Sequence, residues 1–91
     1  MKLSKEEIRF RIIKKLVRHR VWGTYHIDED DVPKGMPPEL RKDIMRELDV
    51  MVREGLVIRF PHLGKRKIFL NPNKKGEFEE LVTKHMEKEL Q

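Results

Sequence analysis

Residues 48–57, LDVMVREGLV, are the most informative stretch of this chain for its fold. The apolar side chains of this stretch continue a stripe at helical spacing, formed by Leu40, Ile44, Leu48, Met51 and Val52. Gly55 suits the position just past a helix end, where the backbone turns left-handed. Pro38 suits the first position of a helix, because its missing amide hydrogen has no partner there. The stretch therefore predicts one long helix that starts at Pro38 and stops at Gly55.

Two β-rich runs follow this helix. Residues 56–60 and 67–70 are rich in branched and aromatic side chains, and they flank the basic segment 61–66. This arrangement predicts a β-hairpin with a basic tip. Asn71-Pro72 interrupts the pattern, and a final helix is predicted over about 72–90. One face of that helix carries Phe78, Leu81, Val82 and His85.

The N-terminal third predicts a helix, a short strand and a second, very short helix. Ser4 and Glu7 have the spacing of a capping box, and an apolar stripe follows with Ile8, Ile12, Ile13 and Leu16. Gly23 is expected to end this helix or its extension. Residues 24–27 favour a strand, and the acidic run 28–31 suits the first turn of a helix that Pro33 restricts to one or two turns.

Composition limits the classes to which the chain can belong. Its 91 residues are sufficient for one domain, 1–91, with a core over about 4–70. There is no cysteine, which excludes disulfides, thiolate zinc sites and a cysteine nucleophile. The N-terminus lacks an apolar signal core and no segment is apolar enough to span a membrane, so we expect a cytoplasmic protein. Charged residues make up 41% of the chain, a balance typical of thermophilic proteins.

The net charge of +5 is unevenly distributed. Residues 1–24 and 56–75 each carry +6, whereas residues 25–35 and 76–91 each carry −3 and residues 36–55 carry −1. Two basic segments are thus separated by acidic ones. An asymmetric field of this kind can orient a polyanion.

From Ile8 to Leu70 the chain resembles the winged helix-turn-helix superfamily. The resemblance rests on the short second helix, the glycine-containing turn, and the pattern Leu-x-x-Met-Val-x-x-Gly-Leu-Val that leads from the long helix into the hairpin. It implies an α+β, mainly α fold with a three-helix core, a hairpin wing and an additional C-terminal helix. It also implies a DNA-binding transcriptional regulator, and the composition resembles the small archaeal members of the class.

The resemblance implies that the long helix contacts the major groove and that the wing contacts the DNA backbone. On the helix, the residues that point most directly away from the apolar stripe are Lys42, Arg46, Asp49 and Arg53, with Glu39 near the N-terminal end. Arg46 is the candidate for pairing with guanine, and Lys42 for a base or a phosphate. On the hairpin, the candidate phosphate anchors are Arg59, Lys65, Arg66 and Lys67. No acid lies near them in the sequence.

Other functions remain open at this stage. A winged helix can also be a protein-docking module, which the near-neutral long helix favours, and a basic wing can bind RNA. The C-terminal helix either packs on its own domain or pairs with a second copy, and we expect a homodimer. The basic face of the first helix, with Arg11, Lys14, Lys15 and Arg18, is interpreted as a solvated surface. If this face binds a ligand, a second strand of nucleic acid or an acidic partner protein would fit it. No histidine spacing suggests a metal site and no residues converge as a catalytic set, so no enzyme, cofactor or metal is expected.

Overall fold

The computed structural model describes residues 3–23 and 25–89. In this part of the chain, three α-helices and a three-stranded antiparallel sheet form a small, mainly helical α+β domain. The helices are α1 (Lys5–Arg18), α2 (Arg41–Arg53) and α3 (Lys75–Glu89). The strands are β1 (Ile27–Asp28), β2 (Val57–His62) and β3 (Lys65–Leu70). None of the helices described is both long and apolar enough to cross a membrane.

The start of α1 and its buried side agree with the sequence pattern. The Ser4 side chain accepts a hydrogen bond from the amide of Glu7 at 3.2 Å, which caps the first turn. All four side chains of the predicted apolar stripe are buried: Ile8, Ile12, Ile13 and Leu16. They pack against the apolar side of α2, where Ile44, Leu48 and Met51 are also buried, and against Leu40 in the turn before it. These two helices therefore form the centre of the core.

The predicted end of α1 at Gly23 is wrong, because the helix stops five residues earlier. The amide of Val21 donates to the carbonyl of Leu16, and the amide of Arg20 donates to that of Val17, both at 3.0 Å. This pair of bonds is a Schellman motif, with Arg20 in the left-handed position at φ +54°. A glycine normally occupies that position, so the sequence pattern predicts the helix end at the next glycine instead.

Replacing Arg20 with glycine is expected to stabilise the protein by about 1 kcal/mol, because the left-handed backbone strains any residue that has a Cβ atom. The end of α2 provides the matched control, since Gly55 occupies the same position of the same motif at φ +80°. Gly55→Ala should destabilise the protein by about 1 kcal/mol, and a Cβ there would meet no atom within 4 Å. Urea unfolding of both variants measures the two effects. A loss of stability in Arg20→Gly would show that the arginine side chain contributes more than the backbone strain costs.

The segment between α1 and α2 is less regular than predicted. The strand expected over 24–27 is observed as β1, Ile27–Asp28, and Thr24 lies outside the described residues. The short second helix is a single 3-10 turn, Glu29–Asp31, which we call the acidic turn. A second 3-10 turn at Pro38–Leu40 leads directly into α2.

Lys15 holds this irregular segment against α1. Its ammonium group donates to the carbonyl oxygens of Asp31, Val32 and Lys34 at 2.7, 3.0 and 2.6 Å. Three acceptors match the three donors of a protonated lysine. Burial lowers the pKa of Lys15 below its usual value, although Asp31 raises it. The interpretation of the basic α1 face as purely solvated is therefore wrong for Lys15, which supports the loop that positions α2.

The sheet has the strand order β1-β3-β2. The β2–β3 hairpin turns at Leu63 and Gly64, which both have positive φ angles, as in the two-residue type I′ turn. Both strands consequently extend further than the sequence suggested, and the tip has two residues instead of six. β1 pairs with the outer side of β3, with Ile27 opposite Ile68. This pairing brings the acidic turn next to the hairpin.

The C-terminal helix α3 packs on its own domain. Phe78 is completely buried, and its ring meets that of Trp22 edge-to-face at a centroid distance of 5.6 Å. Leu81 and Val82 are half-buried against the same core, and the ring of His85 stacks on Phe10 on α1 at 4.2 Å. Of the two arrangements considered for this helix, the structure contains the intramolecular one. Pairing with a second copy remains a prediction.

Candidate nucleic-acid interface

The outward side of α2 presents three basic side chains. Lys42, Arg46 and Arg53 follow one another along the helix and are exposed, because the apolar stripe holds the opposite side in the core. Arg46 lies 3.9 Å from Asp43, a weak contact between exposed groups. Within the described residues, Lys42 and Arg53 have no carboxylate within ion-pair distance. These cations are available to an external anion.

Arg59 joins the hairpin to α2. Its guanidinium group donates to Glu29 of the acidic turn and to Asp49 on the outward side of α2. Glu29 is only 3% exposed, so the pair is largely removed from water. Burial lowers the pKa of Arg59, but the hydrogen bonds to Asp49 and Glu29 outweigh this effect, and the pKa lies above its usual value. Arg59 is thus a fixed charge that holds three elements together.

The remaining hairpin cations also meet carboxylates. The Nε atom of Arg66 lies 2.8 Å from Glu29, and the ammonium groups of Lys67 and Lys65 lie 2.6 and 3.4 Å from Asp28. The expectation of a hairpin with no acid nearby is therefore wrong. The physical reason is the sheet register: β1 pairs with β3, and Asp28 is directly opposite Lys67.

Hydrogen bonding by Lys67 lowers the pKa of Asp28 below its usual range; Lys65 also lowers it, while desolvation opposes the shift. Asp28 therefore remains ionised at mildly acidic pH and continues to offset the lysines. Counting Asp49 and Glu29 as well, three carboxylates face the four hairpin cations. The hairpin cluster has a net charge of about +1, much less than its sequence suggests.

The hairpin side chains differ in how far they remain accessible. Lys65 and Arg66 are 69% and 62% exposed, whereas Arg59 and Lys67 are 20% and 22% exposed. Arg59 and Lys67 have their donors directed at carboxylates, so we assign them a structural role. The accessible cations next to one another on α2 and the hairpin define the α2-hairpin surface: Lys42, Arg46, Arg53, Lys65 and Arg66.

The local sequence pattern does not single out the carboxylates that complete this site. For Asp28 and Glu29 the local pattern predicts only the start of a short helix, although their segment carries −3 and the hairpin segment carries +6. The complementary charges of two segments that both have strand propensity were the available signal. Pairing of the acidic segment with the basic hairpin places opposite charges next to each other and so reduces the repulsion within each segment.

Comparison with known proteins finds no family model, no curated protein and no solved structure that matches this chain. A function is therefore inferred from the residues themselves. In residues 3–23 and 25–89, no three histidine, aspartate or glutamate side chains come together in a way that could hold a metal ion.

Proposed function

We propose that this protein is a DNA-binding module of the winged helix-turn-helix type. The observation that carries the proposal is the position of the hairpin beside the outward side of α2, held there by the contacts of Arg59 with Asp49 and Glu29. The element order, with β1 added to the outer side of the hairpin, is the arrangement expected of a winged helix. Its second helix is reduced to the acidic turn.

In this proposal α2 enters the major groove and the hairpin tip contacts the backbone beside it. A groove about 12 Å wide admits one helix, and Lys42 and Arg46 lie near the N-terminal half of α2, from which such helices contact bases. Arg46 pairs with guanine through its guanidinium group. Lys65 and Arg66 contact phosphates and set the orientation of the domain.

The carboxylates of the hairpin cluster limit non-specific binding. With five accessible cations, the logarithm of the binding constant should fall with the logarithm of salt concentration with a slope of at most about −4.5. A hairpin that used all of its cations would bind any duplex more tightly. A protein with few phosphate contacts depends more on contacts with the bases, which is the property of a transcriptional regulator.

Removing the three α2 cations should weaken duplex binding strongly. We expect Lys42→Gln/Arg46→Gln/Arg53→Gln to bind a random duplex about 100-fold more weakly at 100 mM salt and to reduce the salt slope by about 3. Arg66→Ala should reduce the slope by about 1 and affect all sequences equally. Fluorescence-anisotropy titrations across a salt series provide both quantities.

The matched control is Lys5→Gln/Lys75→Gln/Lys84→Gln, which removes the same charge from exposed positions away from the α2-hairpin surface. It should change the slope by less than about 1. If both triple variants weaken binding equally, net charge and not the α2-hairpin surface determines affinity, and the proposed interface is wrong.

A protein-docking module is the second candidate, and the neutralised hairpin favours it. A net charge of about +1 on the hairpin cluster is a weak attraction for DNA, while its paired carboxylates and guanidinium groups offer donors and acceptors to a polar protein surface. Absence of salt-dependent binding to any duplex or structured RNA would favour this candidate. Tighter binding to RNA than to DNA would show that the nucleic acid the protein binds is RNA.

A further inference from the structure

A second basic surface lies on α1, and its cations are not neutralised as those of the hairpin are. Arg11, Lys14 and Arg18 project from one side of the helix. Among the described residues, none of the three has a carboxylate within 4 Å. Lys14 lies 5.8 Å from the ring centroid of Phe10, a contact that leaves its charge available. We call these three residues the α1 surface, which extends over about 10 Å along the helix axis.

The α1 surface forms one wall of an open groove of about 720 Å³. The loop at residues 34–36 forms another wall and adds the ammonium group of Lys34, which also contacts Asp31 at 2.7 Å. The stacked pair of Phe10 and His85 lies at a further edge. Two carboxylates, Glu6 and Glu7, line only the N-terminal end. The groove therefore has a positive field over most of its length.

The C-terminal end of α1 concentrates the same charge. Arg18, His19 and Arg20 are exposed there, and the helix dipole favours cations at this end. Arg20 occupies a left-handed backbone position that glycine would fill with less strain.

The helical period places the α1 surface and the α2 cations on different sides of the two packed helices. Where α1 meets α2, Arg9 contacts Glu47 and Glu54, each at 2.6 Å. Arg11, Lys14 and Arg18 point away from this contact on α1, as the helical period requires. Lys42, Arg46 and Arg53 point away from it on α2. One ligand of ordinary duplex width cannot follow both sides of the domain at once without bending around it.

We propose that the α1 surface binds the phosphates of a second nucleic-acid segment, so that one protein molecule bridges two duplexes; this inference rests on the proposed function. The groove is polar and open, and its cations follow one line, as a phosphate backbone requires. Its apolar lining consists of Phe10, which is buried, and Met36, which is half-buried. This lining provides little of the exposed apolar surface that usually contributes most to binding a folded protein.

The stoichiometry of the complex tests the bridge. Light scattering measures the mass of the complex formed by the full chain with an excess of a duplex about 15 base pairs long, or one and a half turns. The wild type should bind two duplexes. Arg11→Gln/Lys14→Gln/Arg18→Gln should bind one, and it should not retain a labelled duplex on beads that carry an immobilised duplex. Because these side chains are at the surface, thermal unfolding should confirm that the variant is folded.

Each result decides between the two proposals. If the wild type and the α1 variant both bind one duplex with equal affinity and salt slope, the inference is overturned and the proposed function stands. If the wild type binds one duplex and the α1 variant binds none, the α1 surface is the principal site and the α2-hairpin surface is not. If the wild type binds no duplex, both proposals fail. In that case, binding of a labelled polyglutamate peptide that the α1 variant loses would show that the α1 surface binds acidic peptide segments and not nucleic acid.

Discussion

Arg59→Met is expected to lower the free energy of unfolding by about 2 to 3 kcal/mol. The substitution keeps much of the side-chain volume but removes the guanidinium group that Glu29 and Asp49 share. Glu29 would then remain as a buried carboxylate with Arg66 as its ion-pair partner. Breaking a buried ion pair from one side is costly because the remaining charge has lost its solvation. For a chain of this length the melting temperature should fall by roughly 10 to 15 °C.

A double-mutant cycle separates the ion pair from other effects of the substitution. Glu29→Gln/Arg59→Met should be at least about 1 kcal/mol more stable than the sum of the two single variants predicts, because no buried charge is left. Arg66→Ala is the control. It removes the more exposed partner of Glu29 and should cost less than about 1 kcal/mol. Urea unfolding gives all four values, and additive single effects would show that Arg59 and Glu29 do not stabilise each other.

Phe78→Ala is expected to lower the free energy of unfolding by about 3 to 4 kcal/mol. Phe78 is the fully buried side chain through which α3 enters the core, and it contacts the ring of Trp22. Its truncation leaves a cavity and removes most of the packing that holds the helix in place. A detached helix of 15 residues is only marginally stable in water. Helical circular dichroism should therefore decrease before the rest of the domain unfolds.

Glu79→Ala is the matched control on the next residue of α3. Glu79 is exposed, so its truncation should change the free energy of unfolding by less than about 0.5 kcal/mol. Amide hydrogen exchange locates the effect of Phe78→Ala. Faster exchange in α3 alone supports a helix anchored by one aromatic ring. Unchanged protection in α3, with a loss of stability below about 1 kcal/mol, would show that Leu81 and Val82 are sufficient to hold it.

The ion-pair network around Arg59 stabilises the fold and also lowers the net charge of the candidate interface. Its members come from the acidic turn, from α2 and from the hairpin, so the same contacts that hold the hairpin in place also neutralise it. A phosphate that approached the hairpin would compete with carboxylates already bound. Among the described residues, Lys42, Arg53 and the α1 surface meet no such competition and Arg46 meets only Asp43 at 3.9 Å, so these cations contribute most to the two binding proposals.

Local patterns in the sequence were enough to predict the regular elements of this protein. The structure confirms the apolar stripes of α1 and α2, the cap at Ser4 and the glycine at the end of α2. Each of these features depends on residues that are close together in the sequence. The hairpin is also predicted from neighbouring residues, but its predicted tip of six residues is longer than the observed turn of two. The end of α1 was misplaced because an arginine stands where glycine is usual.

The electrostatic character of the candidate site was decided by tertiary structure alone. Asp28 and Lys65 are 37 residues apart in the sequence, and nothing local indicates that the pairing of β1 with β3 brings them together. The same holds for the three carbonyl groups that bind Lys15. Backbone propensity acts over one or two turns of the chain, whereas a charge responds to every group within a few ångströms, whatever its position in the sequence. The elements of this protein could therefore be predicted from its sequence, while the distinction between free and neutralised cations required the fold.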